Sequence, residues 1–175
     1  IPFRGEYLMF KPEFKKMVNH LVYPVPDPEY PFLGVHFTRL MNGEREVGPN
    51  AVFAFKREGY SNKDFSIKDT YDSITYKGFL KYVYNNLGFT VEELNSSIFK
   101  EKFIDKAKKM LPDVNSNMFT KGTAGVRAQA MDSNGNLLMD FNIIKEKNQI
   151  HILNAPSPGA TASLAIADYV IENYQ

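Results

Sequence analysis

Read from its first residue, the chain places apolar and β-branched side chains in short runs over residues 3–10, 19–24, 33–41 and 51–57, a pattern that predicts strands in the first third. Two breaks separate the runs. Residues 24–32 hold Pro24, Pro26, Pro28 and Pro31 within nine positions, which excludes helix and central strand and predicts a rigid connector. Residues 41–50 combine Asn42-Gly43 with Gly48-Pro49, predicting a hairpin turn followed by a second break. From about 64 to 111 the spacing changes to three and four, through Phe79, Leu80, Tyr82, Val83 and Leu87 and then Ile98, Phe99, Phe103, Ile104, Ala107, Met110 and Leu111. Two or three amphipathic helices are expected there, with Asn95, Ser96 and Ser97 as N-cap candidates for the last and Pro112 just beyond its end. Strand character returns at 121–131 and 137–144 around a Ser133–Asn136 turn, then at 149–153, before a helix running to about 173. Strands, helices, strands and a helix in that order predict an α+β fold with a mixed, largely antiparallel sheet rather than regular βαβ alternation.

Composition narrows the function classes. Lys+Arg 21 against Asp+Glu 20 in 175 residues gives a nearly neutral chain, which argues against a nucleic-acid binder driven by phosphate neutralisation. No apolar run approaches the roughly 18 residues of a membrane span. With Cys at 0, disulfides, thiolate metal sites and a cysteine nucleophile are excluded. The 14 Phe and 10 Tyr suit a packed core or an aromatic-lined pocket. Lys100, Lys102, Lys106, Lys108 and Lys109 interleave with Glu101 and Asp105, the pattern of a solvated helix face.

Two segments carry candidate chemistry. Ser157-Pro158 puts a capping residue before a proline at a first helical position, and Gly159, Ala160 and Thr161 would follow with side chains too small to block a ligand. Such a helix start offers bare N–H donors to an anion or a polarised carbonyl, and equally serves as an ordinary capped terminus. In Lys121–Gln129, glycines thin a strand on which Arg127 and Gln129 share a face opposite Val126 and Ala128. Arg127 reads either as a surface residue or as a planar fork for a carboxylate.

Taken together, FRGEY at 3–7, LVYPVPDP at 21–28, FLGVHFTR at 32–39, VGPNAVFAFKREGY at 47–60, GTAGVRAQ at 122–129 and HILNAPSPGATASLAI at 151–166 make a resemblance. In this order they resemble the C-terminal part of the L-2-hydroxyglutarate oxidase (dehydrogenase) family, FAD-dependent flavoproteins of the D-amino-acid-oxidase-like superfamily. The resemblance implies a substrate-binding domain portion over 1–120 and the closing strands and helix of an FAD-binding domain over 121–175. Members of that superfamily open on a GxGxxG turn that cradles the ADP half of FAD, and no such glycine spacing occurs in this chain. A C-terminal fragment is therefore expected, inactive and FAD-free by itself, whose partners are a 2-hydroxy dicarboxylate and the missing N-terminal part.

By the same resemblance, Arg127 pairs with the substrate α-carboxylate, and the segment Ser157, Pro158, Gly159, Ala160 and Thr161 faces the flavin N1/O2 edge. The reaction implied is hydride transfer from the hydroxyl-bearing carbon to flavin N5. It needs a base near neutral pKa, and of His20, His36 and His151 the first choice is His36, which shares a strand face with Gly34 and Thr38. Arg39, Lys56, Arg57 and Arg4 are candidates for the distal carboxylate. The alternatives are an amino-acid or other 2-hydroxy-acid oxidase of the same superfamily, or a cofactor-free carboxylate-binding or interaction module. A cytoplasmic place is expected; the electron acceptor, oxygen or a membrane quinone, stays open, and with it peripheral membrane contact of the full-length enzyme.

Overall fold

The computed structural model describes residues 1–25, 34–156 and 158–174. Its centre is β1 (Pro2–Phe10), a strand with both edges occupied. Along one edge runs β5 (Phe119–Ala128), antiparallel from Phe10↔Phe119 to Pro2↔Ala128, with a register shift between Glu6 and Leu8. The other edge is shared by β3 (Arg45–Gly48), which pairs Leu8↔Val47, and β4 (Val52–Phe53), which pairs Phe3↔Phe53. The break at Pro49 divides β3 from β4. Beyond β3 lies β2 (His36–Arg39), joined to it by a hairpin in which Gly43 adopts φ +86°, a conformation that costs glycine little.

Four helices follow β4: α1 (Ile67–Ile74), α2 (Lys77–Asn85), α3 (Leu87–Ile98) and α4 (Lys100–Lys108). Phe103, Ile104 and Ala107, at spacings of one and three on α4, bury against Phe10, Phe37, Val47 and Phe119 of the sheet to make the main core. Phe79 and Tyr82 of α2 make a second, smaller cluster with Phe3. A separate hairpin, β6 (Asn142–Glu146) with β7 (Gln149–Asn154), precedes α5 (Ser163–Tyr174). The fold is α+β with antiparallel sheets and flanking helices, as the order of elements predicts.

Several local expectations are corrected. The strand expected at 19–24 is reduced to one bridge, Val22↔Phe37, because Pro24 ends any ladder there. The proline connector falls mostly on residues 26–33, outside the described residues. Asn95, Ser96 and Ser97 are not N-caps but the last turn of α3, held down by Glu93, whose carboxylate accepts from the Ala51 N–H at 2.8 Å and meets the Lys106 ammonium at 2.5 Å. The working N-cap is Ser66, which accepts from the Asp69 N–H at the start of α1. Lys106 and Lys108 are tied to Glu93 and Asp105, in keeping with a paired helix face. The strand predicted at 137–144 splits into a bridge, Met131↔Leu137, and β6; Asp132 organises the intervening turn by accepting from the Asn134 and Asn136 N–H groups. Residues 120 and 121 both lie in β5, a strand of the same sheet as β1.

Candidate active site

Alternation along the strands sorts side chains onto two faces. Phe37, Val47, Leu8 and Phe10 point to the core, so His36 and Thr38 of β2, Glu46 of β3 and Tyr7 of β1 lie on the opposite face. Arg127 of β5 is paired with Phe3, which shares Tyr7's side of β1, and its charge bears on the Tyr7 hydroxyl. The sheet thus brings His36 and Arg127, far apart in sequence, to one electrostatic neighbourhood.

His36 is buried, and its Nδ1 lies 2.9 Å from the Gly34 carbonyl. A carbonyl only accepts, so the ring proton sits on Nδ1 and Nε2 presents a lone pair. The Tyr23 ring stacks on the imidazole at 4.4 Å with 23° between planes. Burial pushes the His36 pKa below its ordinary 6.5; the Gly34 bond opposes this shift and the Arg127 charge adds to it. At neutral pH the ring is an uncharged base with a fixed acceptor. Burial likewise raises the Tyr7 pKa, with Arg127 opposing and Glu46 and Tyr23 reinforcing, so the phenol keeps its proton. The Glu46 carboxyl is also raised by burial.

The other candidate cations do not all reach this face. Arg39 is exposed; alternation puts it on the Phe37 side of β2, opposite Arg45, and His36 on the other. Arg4 is buried and engaged by Glu6 at 3.0 Å, the Ser61 carbonyl at 3.1 Å and the Asn62 side chain. Arg57 pairs with Asp69 and Asp72. Lys56 lies half-buried in the turn after β4, near the end of β1 where Phe3 faces Arg127. His20 and His151 are exposed.

The C-terminal segment also departs from expectation. Residues 158–162 form turns and α5 begins at Ser163; the Pro158 carbonyl accepts the Ala162 N–H at 2.9 Å and the Thr161 hydroxyl at 3.2 Å. Ser157, expected to cap the helix, is outside the described residues. Pro158, Ala160 and Thr161 are exposed, and the N–H groups of Gly159, Ala160 and Thr161 meet no carbonyl among the described residues. A Cβ on Gly159 would stand 3.1 Å from the Ala155 carbonyl oxygen, so the turn is tight there.

Comparison with known proteins decides the family: the FAD dependent oxidoreductase family matches residues 1–173. The chain belongs to the FAD-dependent oxidoreductase family. It is 49% identical over 172 residues to the L-2-hydroxyglutarate dehydrogenase of Indibacter alkaliphilus, covering 98% of this chain and 43% of that protein. It is 46% identical over 175 residues to the mitochondrial L-2-hydroxyglutarate dehydrogenase of Caenorhabditis elegans, covering 97% of this chain and 40% of that one. Against the L-2-hydroxyglutarate dehydrogenase of Escherichia coli K12 the figures are 42% over 174 residues, 99% and 41%. The chain therefore spans about two-fifths of the length of these relatives.

For an FAD-dependent oxidoreductase, the donors at 159–161 suit the cofactor. They belong to small residues, of which Ala160 and Thr161 are exposed and Gly159 partly so, and lie one turn ahead of a 12-residue helix whose dipole favours negative charge at that end. The apolar side chains of Ile144, Ile152, Leu153 and Leu164 are exposed beside this segment of sequence. Among the described residues, no helix is long and apolar enough to cross a membrane.

The sequence reading did not single out Tyr7, Tyr23 or Glu46. Tyr7 ends the FRGEY motif and Tyr23 lies in LVYPVPDP, so both were within reach; their meeting with His36 depends on strand pairings that no local pattern encodes.

Proposed function

We propose that this chain is the C-terminal part of an FAD-dependent dehydrogenase that oxidises L-2-hydroxyglutarate to 2-oxoglutarate. The observation that carries this reading is the neutral His36, with its Nε2 lone pair free of the Nδ1–Gly34 bond, on the sheet face reached by Arg127. The names of the relatives support the choice of substrate.

Arg127 holds the α-carboxylate through two parallel N–H donors, which fixes the rotation of the substrate. His36 Nε2 accepts the proton of the C2 hydroxyl as the C2–H bond breaks, leaving a carbonyl at C2. The Gly34 bond keeps the imidazole in the tautomer this step requires and shares the positive charge that arrives. Lys56 is the candidate for the distal carboxylate, since Arg39 falls on the other side of β2 from His36. FAD, when bound, supplies the hydride acceptor at its N5 atom. Gly159, Ala160 and Thr161 would hold it through backbone donors, with Pro158 shaping the turn.

The test is anaerobic addition of L-2-hydroxyglutarate, its D enantiomer, L-lactate and D-amino acids to the complete FAD-loaded protein. Bleaching of the flavin band by L-2-hydroxyglutarate in preference to the others is the expected result. Preferential reduction by an amino acid or a monocarboxylate would overturn the substrate assignment.

The 175-residue chain expressed alone is expected to purify colourless. It lacks a GxGxxG turn, and the phosphate contacts made at such a helix start would be supplied by the rest of the protein. A yellow preparation with a flavin spectrum would contradict this.

A further inference from the structure

We propose that Tyr23 is a positioning residue for the proton acceptor, its ring holding the plane of the His36 imidazole so that Nε2 stays aimed at the substrate hydroxyl. This deepens the function proposed above and rests on the reading of His36 as the base.

The stack of the two rings is built by the backbone on both sides of Tyr23. Val22 and Phe37 exchange two main-chain hydrogen bonds, at 3.0 and 2.9 Å, and Phe37 is fully buried in the core, so this bridge is anchored. In an antiparallel pair the next residue of one strand lies opposite the previous residue of the other, which sets Tyr23 directly across from His36. Pro24 follows and packs on Gly34, where a Cβ would stand 3.4 Å from Pro24 Cγ. The carbonyl of that same Gly34 lies 2.9 Å from His36 Nδ1. Residues 22–24 thus lie along 34–37, and the two rings meet with 4.4 Å between centroids and 23° between planes. On its other flank His36 pairs with Gly48, which brings no side chain against the imidazole.

The outer torsion of a histidine side chain is broad, and one hydrogen bond fixes the direction of Nδ1 while leaving the ring free to tilt about that bond. Such a tilt swings the lone pair of Nε2. Face-to-face contact with a second ring opposes it, because rotation either parts the two faces or drives their atoms together. A general base must sit within hydrogen-bond reach of the hydroxyl and in line with its proton, so the stack supplies the part of the orientation that the Gly34 bond leaves open. The other titratable groups of this face, Tyr7 on β1, Glu46 on β3 and Arg127 on β5, are placed by the strand pairings and not by residues 22–24.

The test uses Tyr23→Phe and Tyr23→Ala in the complete FAD-loaded protein. Tyr23 is 46% exposed, so its truncation opens no core cavity and both variants should fold. The first readout is independent of activity: the Cε1–H proton resonance of His36, identified by its loss in His36→Gln, is expected upfield in the parental protein and in Tyr23→Phe, where a ring lies over it. In Tyr23→Ala it should move downfield, and its titration midpoint should rise toward the ordinary 6.5 as the imidazole gains water. The second readout is the limiting rate of flavin reduction by L-2-hydroxyglutarate, expected to fall about 10-fold in Tyr23→Ala with KM changing less, and to recover in Tyr23→Phe to within about 2-fold of parental. In a His36→Gln background Tyr23→Ala should add little, because its effect runs through His36. A resonance that does not move in Tyr23→Ala would overturn the proposal, as would a resonance that moves with no change in the limiting rate. So would a Tyr23→Phe variant as slow as Tyr23→Ala, or an undiminished effect in the His36→Gln background. Failure of L-2-hydroxyglutarate to reduce the unsubstituted protein would instead count against the function proposed above, with the resonance still reporting the stack.

Discussion

Replacing His36 with alanine in the complete FAD-loaded protein is expected to lower the limiting rate of L-2-hydroxyglutarate oxidation by about 100-fold or more, since a positioned general base contributes about 10² to 10⁴ in rate. The loss should fall on kcat more than on KM, because the imidazole acts on the hydroxyl proton while Arg127 retains the carboxylate. Burial leaves this residue uncharged, and the Gly34 bond holds it in one tautomer with one available nitrogen. His36→Gln keeps a polar side chain but has no base at that position, so it should lose nearly as much. Unchanged kinetics in both variants would move the base to another residue.

Arg127→Lys is expected to damage catalysis almost as severely as Arg127→Ala, although lysine retains the charge. A carboxylate gripped by two parallel N–H groups cannot rotate, and that orientation aims the C2–H bond. Lysine offers a point charge on a flexible stem and lacks the planar fork. Removing a charged hydrogen bond costs roughly 1.5 to 3 kcal/mol, or about 10- to 150-fold, before misalignment is counted. The comparison is of kcat/KM for both variants, with flavin content checked by absorbance. Near-parental activity of the lysine variant would show that Arg127 supplies charge alone.

How far these residues were legible in the sequence depends on the range of the interactions that place them. Local rules held where the physics is local: Asn42-Gly43 makes the β2–β3 turn, Asp132 closes the turn before Leu137, and Phe103, Ile104 and Ala107 mark the buried side of α4. His36 and Arg127 could be picked out singly, as a histidine among small residues and an arginine on a glycine-thinned strand. Their meeting could not, because it requires β1 to lie between β3 and β5, pairings that span much of the chain. The same holds for Arg39, since burial of Phe37 in the core fixes the face on which every β2 side chain falls. The turns at 158–162 ahead of α5 were not legible either, because Ser-Pro spacing alone does not distinguish them from a first helical turn.

The most direct test of the central claim, that His36 is the proton acceptor, is the pH dependence of the single-turnover rate of flavin reduction by L-2-hydroxyglutarate. The base must be neutral to work, and its pKa lies below the ordinary 6.5, so the rate should be flat above that value and fall through one ionisation as pH drops beneath it. In His36→Gln the residual rate should lose that inflection. An inflection that survives unchanged in His36→Gln, or a parental rate that begins to fall well above pH 6.5, would contradict the assignment.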